Sequence, residues 1–278
     1  MPAHQTPPVS ATDIEAQINA LMPTWQFAAV DNLAYLSGGY SNINYALDYQ
    51  GKRYVLRIPQ IAQPFVDRAH ELAWYNTLPD DVGIRPLALD LNTGAMITPW
   101  IPGKLLADDF PRCSLEQYVR YLQKLHSSLP DAHRRYDLEA ISSAYWENET
   151  APVSLSNPPE SLVRSCHNDL NPWNVIVTSA GWVTLDWEFV GHNDPLFDLV
   201  ALHHGLQLAQ SALPLFAQLY LGKPCPDLDE RLHSVQTAYW LRELGWAHFQ
   251  IKHGNHRAEI RAQLQMAEQA LEALLRTA

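Results

Sequence analysis

The spacing of apolar residues begins helical, turns to strict alternation, and returns to helical spacing for most of the second half of the chain. Ile14, Ile18 and Leu21 mark a short leading helix, opened by a Thr12-x-x-Glu15 capping box and closed before Pro23. From Leu33 the pattern alternates. It gives two extended runs around Ser37-Gly38-Gly39-Tyr40-Ser41-Asn42 and, after a turn at Tyr49-Gln50-Gly51-Lys52, a third run over Arg53–Pro59 that proline stops. Leu72, Tyr75 and Leu78 restore helical spacing within residues 65–78, and Asn92-Thr93-Gly94 turns a second hairpin between residues 85–90 and 95–100. Five strands and a helix complete a small first lobe, residues 1–100, which Ile101-Pro102-Gly103 connects to a second unit, residues 101–278.

In that second unit Ser114-Leu115-Glu116-Gln117 opens a helix whose face is Tyr118, Leu122, Leu125 and Leu129, ending at Pro130. A further helix is expected over Leu138–Trp146, then a polar loop with Pro152, Pro158 and Pro159, which suits a specificity loop or a plain connector equally. Val175–Val177 and Trp182–Leu185 flank Ser179-Ala180-Gly181 as a tight hairpin. Beyond it the chain reads as helical over residues 196–208, 212–221, 230–254 and 255–277.

Composition narrows the partners. A chain of 278 residues, 47% hydrophobic, is ordinary for a globular protein of one or two domains. The first twelve residues are polar and proline-rich, and no apolar run reaches the roughly 18 residues that span a bilayer, so a cytoplasmic protein without a membrane partner is expected. Cys113, Cys166 and Cys225 form no Cys-x-x-Cys pair and read as reduced thiols. With a net charge of −11 and only 19 scattered Lys and Arg, a nucleic-acid partner is excluded and a cationic small molecule is favoured. Oligomeric state is not legible in the sequence.

The densest chemistry lies between Ser165 and Ala201. His167, Asp169 and Asn174 precede the first strand of the Val175–Leu185 hairpin and Asp186 follows the second, so closing the turn draws Asn174 and Asp186 together into an oxygen-rich divalent-cation site. His203-His204 and His253-x-x-His256 lack a third nearby ligand and are not read as a metal site. In the penultimate helix Tyr239, Glu243 and Trp246 share one face and Trp240 a neighbouring stripe. Aromatic rings around a carboxylate suit an organic cation, although such stripes are more often core.

The order His167-x-Asp169-x-x-x-x-Asn174, then Asp186-Trp187-Glu188 and Gly191-x-Asn193-Asp194-Pro195-x-x-Asp198-Leu199, resembles the protein-kinase-like small-molecule phosphotransferases. Within that aminoglycoside phosphotransferase and choline kinase superfamily it looks most like bacterial choline and ethanolamine kinases, with thiamine kinase next. The resemblance implies an α+β, two-lobed protein-kinase-like fold, with a five-stranded antiparallel first lobe and a larger, mainly helical second one. It implies ATP and Mg2+ as cofactors and phosphorylation of a hydroxyl on a small, cationic acceptor, choline or ethanolamine first, thiamine or an aminoglycoside otherwise. A catalytically inactive binding relative is the alternative of another class, and the intact trio Asp169, Asn174 and Asp186 speaks against it.

By the same resemblance Asp169 takes the hydroxyl proton, with His167 beside it or merely holding backbone carbonyls, and Asn174 and Asp186 hold magnesium. Arg57 stands where the kinase template has a phosphate-binding lysine, with Glu71 to orient it; Lys52 falls on the opposite face by parity. Gly38, Gly39, Ser41 and Asn42 would cover the phosphates, and the backbone from Ile97 to Trp100 would carry adenine, although Pro99 offers no N–H. Glu188, Asp194, Tyr239, Trp240, Glu243 and Trp246 are the expected acceptor contacts.

Overall fold

Alternating tyrosines and aliphatic residues fold the first lobe into one sheet with two unlike faces. The computed structural model describes residues 9–36, 41–109, 113–147 and 149–276. Strands β1 (Val30–Leu36), β2 (Asn42–Tyr49), β3 (Lys52–Pro59), β4 (Ala88–Leu89) and β5 (Met96–Pro99) form an antiparallel sheet in the order β1-β2-β3-β5-β4. Ile43, Tyr45, Leu47, Tyr49, Tyr54, Leu56 and Ile97 make one face a closed core with Ile14 and Ile18 of helix α1 (Ala11–Leu21). The other face carries two cross-strand rows, Ala46, Val55 and Thr98, and Asn44, Arg57 and Met96. Met96 belongs to the core of the second lobe.

The first helix starts earlier than the Thr12 capping box predicts. Ser10 is its N-cap, accepting the Asp13 N–H and donating its own hydroxyl to the Asp13 carboxylate, a nearer partner than the expected Glu15. Helix α2 (Arg68–Thr77) is capped by Asp67 and buries Glu71, Trp74 and Tyr75. Its core stripe therefore includes Trp74, while Leu72 is only half-buried.

Beyond the connector the chain forms a short strand the spacing did not predict, β6 (Lys104–Leu105), which pairs with β8 (Val175–Val177); β8 pairs in turn with β9 (Trp182–Thr184). A second unpredicted pair, β7 (Arg164–Cys166) with β10 (Gly191–Asn193), brackets this hairpin. Three-residue strands carry too few side chains for a period to show in sequence. Helices α3 (Leu106–Asp109), α4 (Leu115–Ser128), α5 (Leu138–Trp146), α6 (Leu196–Gly205), α7 (Leu213–Leu221), α8 (Leu228–Lys252) and α9 (Ala258–Leu275) complete the lobe. The capping box Ser114–Gln117 and the span of α5 fall where the sequence places them. By contrast α6 ends three residues short of Leu208, and α9 begins at Ala258 because Gly254, at φ +93°, and Asn255 form the turn. Helix α8 is buried on several sides, against α5, α6, α7 and α9. No helix among the described residues is long and apolar enough to cross a membrane.

Candidate active site

The loop from His167 to Asn174 is hung from one buried carboxylate. Asp198, in the first turn of α6 and fully buried, accepts the backbone N–H of His167 at 2.8 Å through one oxygen and that of Asn168 at 2.7 Å through the other. His126 Nε2 joins the first oxygen at 3.0 Å. Asn168 sits at φ +66°, a region asparagine tolerates, and its amide donates to the carbonyls of Cys166, Phe189 and Gly191. His167 is buried, with Nε2 donating to the Leu185 carbonyl at 2.7 Å and Nδ1 accepting the Asp169 N–H at 3.2 Å. Those bonds fix its tautomer and make it a clamp between the loop and β9.

This clamped loop presents Asp169, whose side chain is 26% exposed. Its Oδ2 accepts the amide of Asn174 at 3.2 Å and that of Asn171 at 3.4 Å; its Oδ1 accepts both terminal nitrogens of Arg242 at 3.1 Å. Burial raises its pKa, and the Arg242 guanidinium opposes that rise. The Asn174 carbonyl accepts the Leu185 N–H at 2.8 Å, which closes the hairpin and sets Asp186 next in line, at φ +60°. Asp186 is ion-paired with Arg57 and accepts the amide of Asn42 at 3.1 Å, so the sheet of the first lobe reaches directly to it.

Arg57 is the centre of a second network. Its guanidinium pairs with Glu71 at 2.8 Å, as the resemblance implies, and Arg68 bridges Glu71 at 2.6 Å and Glu188 at 2.7 Å. Burial alone would lower the Arg57 pKa, but Glu71, Asp186 and Glu188 outweigh it and keep the guanidinium charged. Glu188, buried and beside Asp186, is pushed up to about 7. Its partner is thus Arg68 and not the α8 residues Tyr239, Trp240, Glu243 and Trp246.

Several expected positions sit differently in three dimensions. Ile97 points into the α1 side of the sheet, so parity gives the opposite wall, facing the second lobe, to Ala46, Val55 and Thr98. Trp100 donates its backbone N–H to the Arg53 carbonyl at 2.9 Å, and its ring lies 4.6 Å from the Arg53 guanidinium. Gly38 and Gly39 lie outside the described residues; Ser41 accepts the Gln60 N–H through its carbonyl and Asn42 reaches Asp186. Asp194 is buried, takes Arg231 through two bonds of 2.7 Å and caps α6 at Leu196.

On α8, Tyr239 packs on Phe197 and His204, Trp240 packs on His204, and Trp246 lies in the core of the second lobe. Glu243 pairs with Arg242 at 2.8 Å and accepts the amide of Gln263 at 2.5 Å. The cation held among these groups is therefore Arg242, a residue that helical spacing does not single out. The one signal is an arginine next to a glutamate within an aromatic and aliphatic stretch of a helix, and nothing local shows that it faces Asp169.

The donor set beside Asp169 fits a hard divalent cation. Such an ion takes one or two carboxylates with further oxygens from water and phosphate. Asp186 supplies a carboxylate, and the Asn174 amide nitrogen is committed to Asp169, which leaves its amide oxygen as the ligand atom. Among the described residues the one cluster of three potential His, Cys or carboxylate ligands is elsewhere, His126, Cys166 and Asp198, where both Asp198 oxygens are already taken by N–H donors.

A family model described as "Phosphotransferase enzyme family" matches residues 32–232. Protein LicA of Haemophilus influenzae is 25% identical over 216 residues, covering 67% of this chain and 62% of that protein, so the chain matches less than two thirds of that relative's length. Two solved structures are similar over nearly the whole chain. The choline kinase LicA from Streptococcus pneumoniae has a TM-score of 0.72 at 19% identity, covering 94% of this chain and 98% of that one. A choline/ethanolamine kinase family protein from Mesorhizobium loti has a TM-score of 0.66 at 23% identity, covering 95% and 94%. At these identities the likeness is one of fold.

Proposed function

The chain belongs to the phosphotransferase enzyme family, and from that premise we propose that it transfers the γ-phosphoryl group of ATP to a hydroxyl of a small cationic metabolite, choline or ethanolamine first. The observation that carries this reading is Asp169, a carboxylate partly open to the cleft, fixed through both oxygens and hydrogen-bonded to the Asn174 that would share a metal with Asp186. A metabolite hydroxyl beside it gives its proton to Asp169 as the acceptor oxygen bonds to the γ-phosphorus. The bond from that phosphorus to the β-phosphate bridge breaks, and ADP leaves.

Little covalent chemistry is required of the protein in such a transfer, so positioning and charge carry the rate. Asn174 and Asp186 would hold Mg2+, which when bound neutralises charge on the phosphate oxygens. Arg57, aimed by Glu71 and Gly94, which accepts from it at 3.2 Å, adds a fixed cation for the phosphates. Ser41 and Asn42 lie at the start of β2, where they would border the phosphates, while Ala46, Val55 and Thr98 offer a small apolar wall for a base. For the acceptor, the net charge of −11 and the cleft carboxylates Asp169 and Asp186 favour a cation, while Glu188 is already paired with Arg68. Tyr239 and Glu243 flank Arg242 next to Asp169 and remain the proposed acceptor contacts on α8; Trp240 and Trp246 support them from the core.

The test is ADP release by the purified protein with MgATP and a panel of choline, ethanolamine, thiamine and aminoglycosides. Acceptor-dependent ADP release, greatest with an amino alcohol, is expected. No acceptor raising ADP release above the acceptor-free rate would overturn the reading.

A further inference from the structure

Arg242 places a guanidinium inside the second lobe, 5% exposed, where an unpaired charge would be strongly destabilising. Its partners are few and specific. Both terminal nitrogens converge on Asp169 Oδ1 at 3.1 Å; one also donates to the Asn168 carbonyl at 2.9 Å, and the other pairs with Glu243 at 2.8 Å. The rings of Phe189, Phe197 and Tyr239 stand 5.8 to 6.0 Å from its centre, close enough for cation–π attraction and shaped to stop the group from swinging. Glu243 is held from α9 by Gln263. A chain of contacts thus runs from the last helix of the described protein through Glu243 and Arg242 to the carboxylate in the cleft.

We propose that Arg242 is a positioning residue for phosphoryl transfer, locking Asp169 through Oδ1 and the preceding carbonyl so that Oδ2 is the oxygen that receives the acceptor proton. Two guanidinium donors occupy Oδ1, whereas Oδ2 is held only by neutral amides at 3.2 and 3.4 Å. Rotation of the carboxylate would break the fork at Oδ1, so a fixed fork fixes the direction in which Oδ2 faces. The same fork restrains the backbone of the loop at Asn168, on the side opposite the Asp198 anchor. This role rests on the phosphotransfer reading above. It adds that a residue 73 positions away in sequence sets the geometry of the proton acceptor.

A merely structural arginine, present to neutralise Glu243, would affect stability and leave the chemical step alone. The two roles separate in steady-state kinetics with MgATP and the acceptor found in the panel, using wild type, Asp169→Asn, Arg242→Met, Arg242→Lys and the double variant Asp169→Asn/Arg242→Met. Misplacing the carboxylate by about 1 Å lowers kcat roughly 100-fold, so Arg242→Met should lose about that factor with KM for ATP unchanged. Arg242→Lys, which keeps the charge without the planar fork, should fall between it and the wild type. In the double variant the losses should not multiply, because the arginine acts through the carboxylate already removed.

Wild-type-like kcat in Arg242→Met, or losses that multiply in the double variant, would overturn the proposal. If thermal melting shows that Arg242→Met is unfolded, Arg242→Lys decides alone, and an unchanged kcat there rejects the fork. Absence of acceptor-dependent turnover in the wild type removes the reaction and this role together, whereas full turnover in Asp169→Asn leaves the reaction and removes both the proton acceptor and this role. An active wild type and a crippled Asp169→Asn with an unaffected Arg242→Met removes only the role of Arg242.

Discussion

Arg57 of β3 and Asp186 just after β9 form an ion pair across the cleft, joining two residues 129 positions apart and both lobes of the protein. Asp186 is also the carboxylate a divalent cation would take, so Arg57, on Oδ1, and the cation would share one carboxylate. Losing that carboxylate should therefore be felt by the metal and by the nucleotide at once. We expect Asp186→Ala to weaken magnesium-dependent ATP binding by more than roughly tenfold, read by titration calorimetry with and without Mg2+. Equal affinity of wild type and variant in the presence of Mg2+ would refute this.

Asp169→Asn keeps the shape of the site and two polar atoms but removes the base and its charge. The expected result is a kcat lower by roughly 10²- to 10⁴-fold with nucleotide affinity largely intact. Rapid-quench or coupled ADP assays measure the first and calorimetry the second. Turnover near the wild-type value rules out the assigned role.

Gly205 closes α6 against the loop over residues 167–174. A methyl group there would lie 2.3 Å from Pro172 Cδ, and the proline ring cannot fold out of the way. Gly205→Ala should cost about 1–3 kcal/mol in denaturant unfolding and lower kcat by displacing the 167–174 loop. Stability and kcat both at wild-type values would mean that the loop yields freely at Pro172.

His204 stacks on Tyr239 with ring centres 5.4 Å apart and leans on Trp240 at 4.6 Å, while its Nε2 has no hydrogen-bond partner among the described residues. Burial, then the neighbouring His203, pushes its pKa down to about 3. The folded state binds this proton less readily than the unfolded chain, so stability is fully present above about pH 6.5 and is lost as pH falls from there toward about 3. His204→Phe keeps a ring between Tyr239 and Trp240 and removes the proton. Urea midpoints measured across that range should fall less steeply for the variant than for the wild type; parallel curves would contradict the assignment of a half-buried neutral imidazole.

What the sequence determined by itself was whatever depends on neighbours in the chain. Alternation over residues 42–58, the Ser114–Gln117 capping box, the Leu138–Trp146 helix and the hairpin from Val175 to Thr184 are local patterns, and the folded chain contains them. The closeness of Asn174 to the Asp186 end of that hairpin was legible too, because a three-residue pairing leaves one geometry for its flanks, seen in the bond from Leu185 N–H to the Asn174 carbonyl. The Arg57–Glu71 pair was legible through resemblance and charge, not through spacing alone, and the side chains meet because β3 and α2 are adjacent elements of one lobe.

Only the tertiary structure decided which face each element shows to the other lobe. Ile97 turns inward and leaves Ala46, Val55 and Thr98 toward the cleft because strand parity is read against the position of α1, which no local spacing specifies. Asp198 anchors the 167–174 loop from α6, and Arg242 reaches Asp169 from α8, through contacts between residues 30 and 73 positions apart. A buried guanidinium is tolerable only where carboxylates and carbonyls from other elements meet it. Its role is therefore a property of the assembled lobe, and the residue next to it in sequence, Glu243, gave no indication of the direction in which it points.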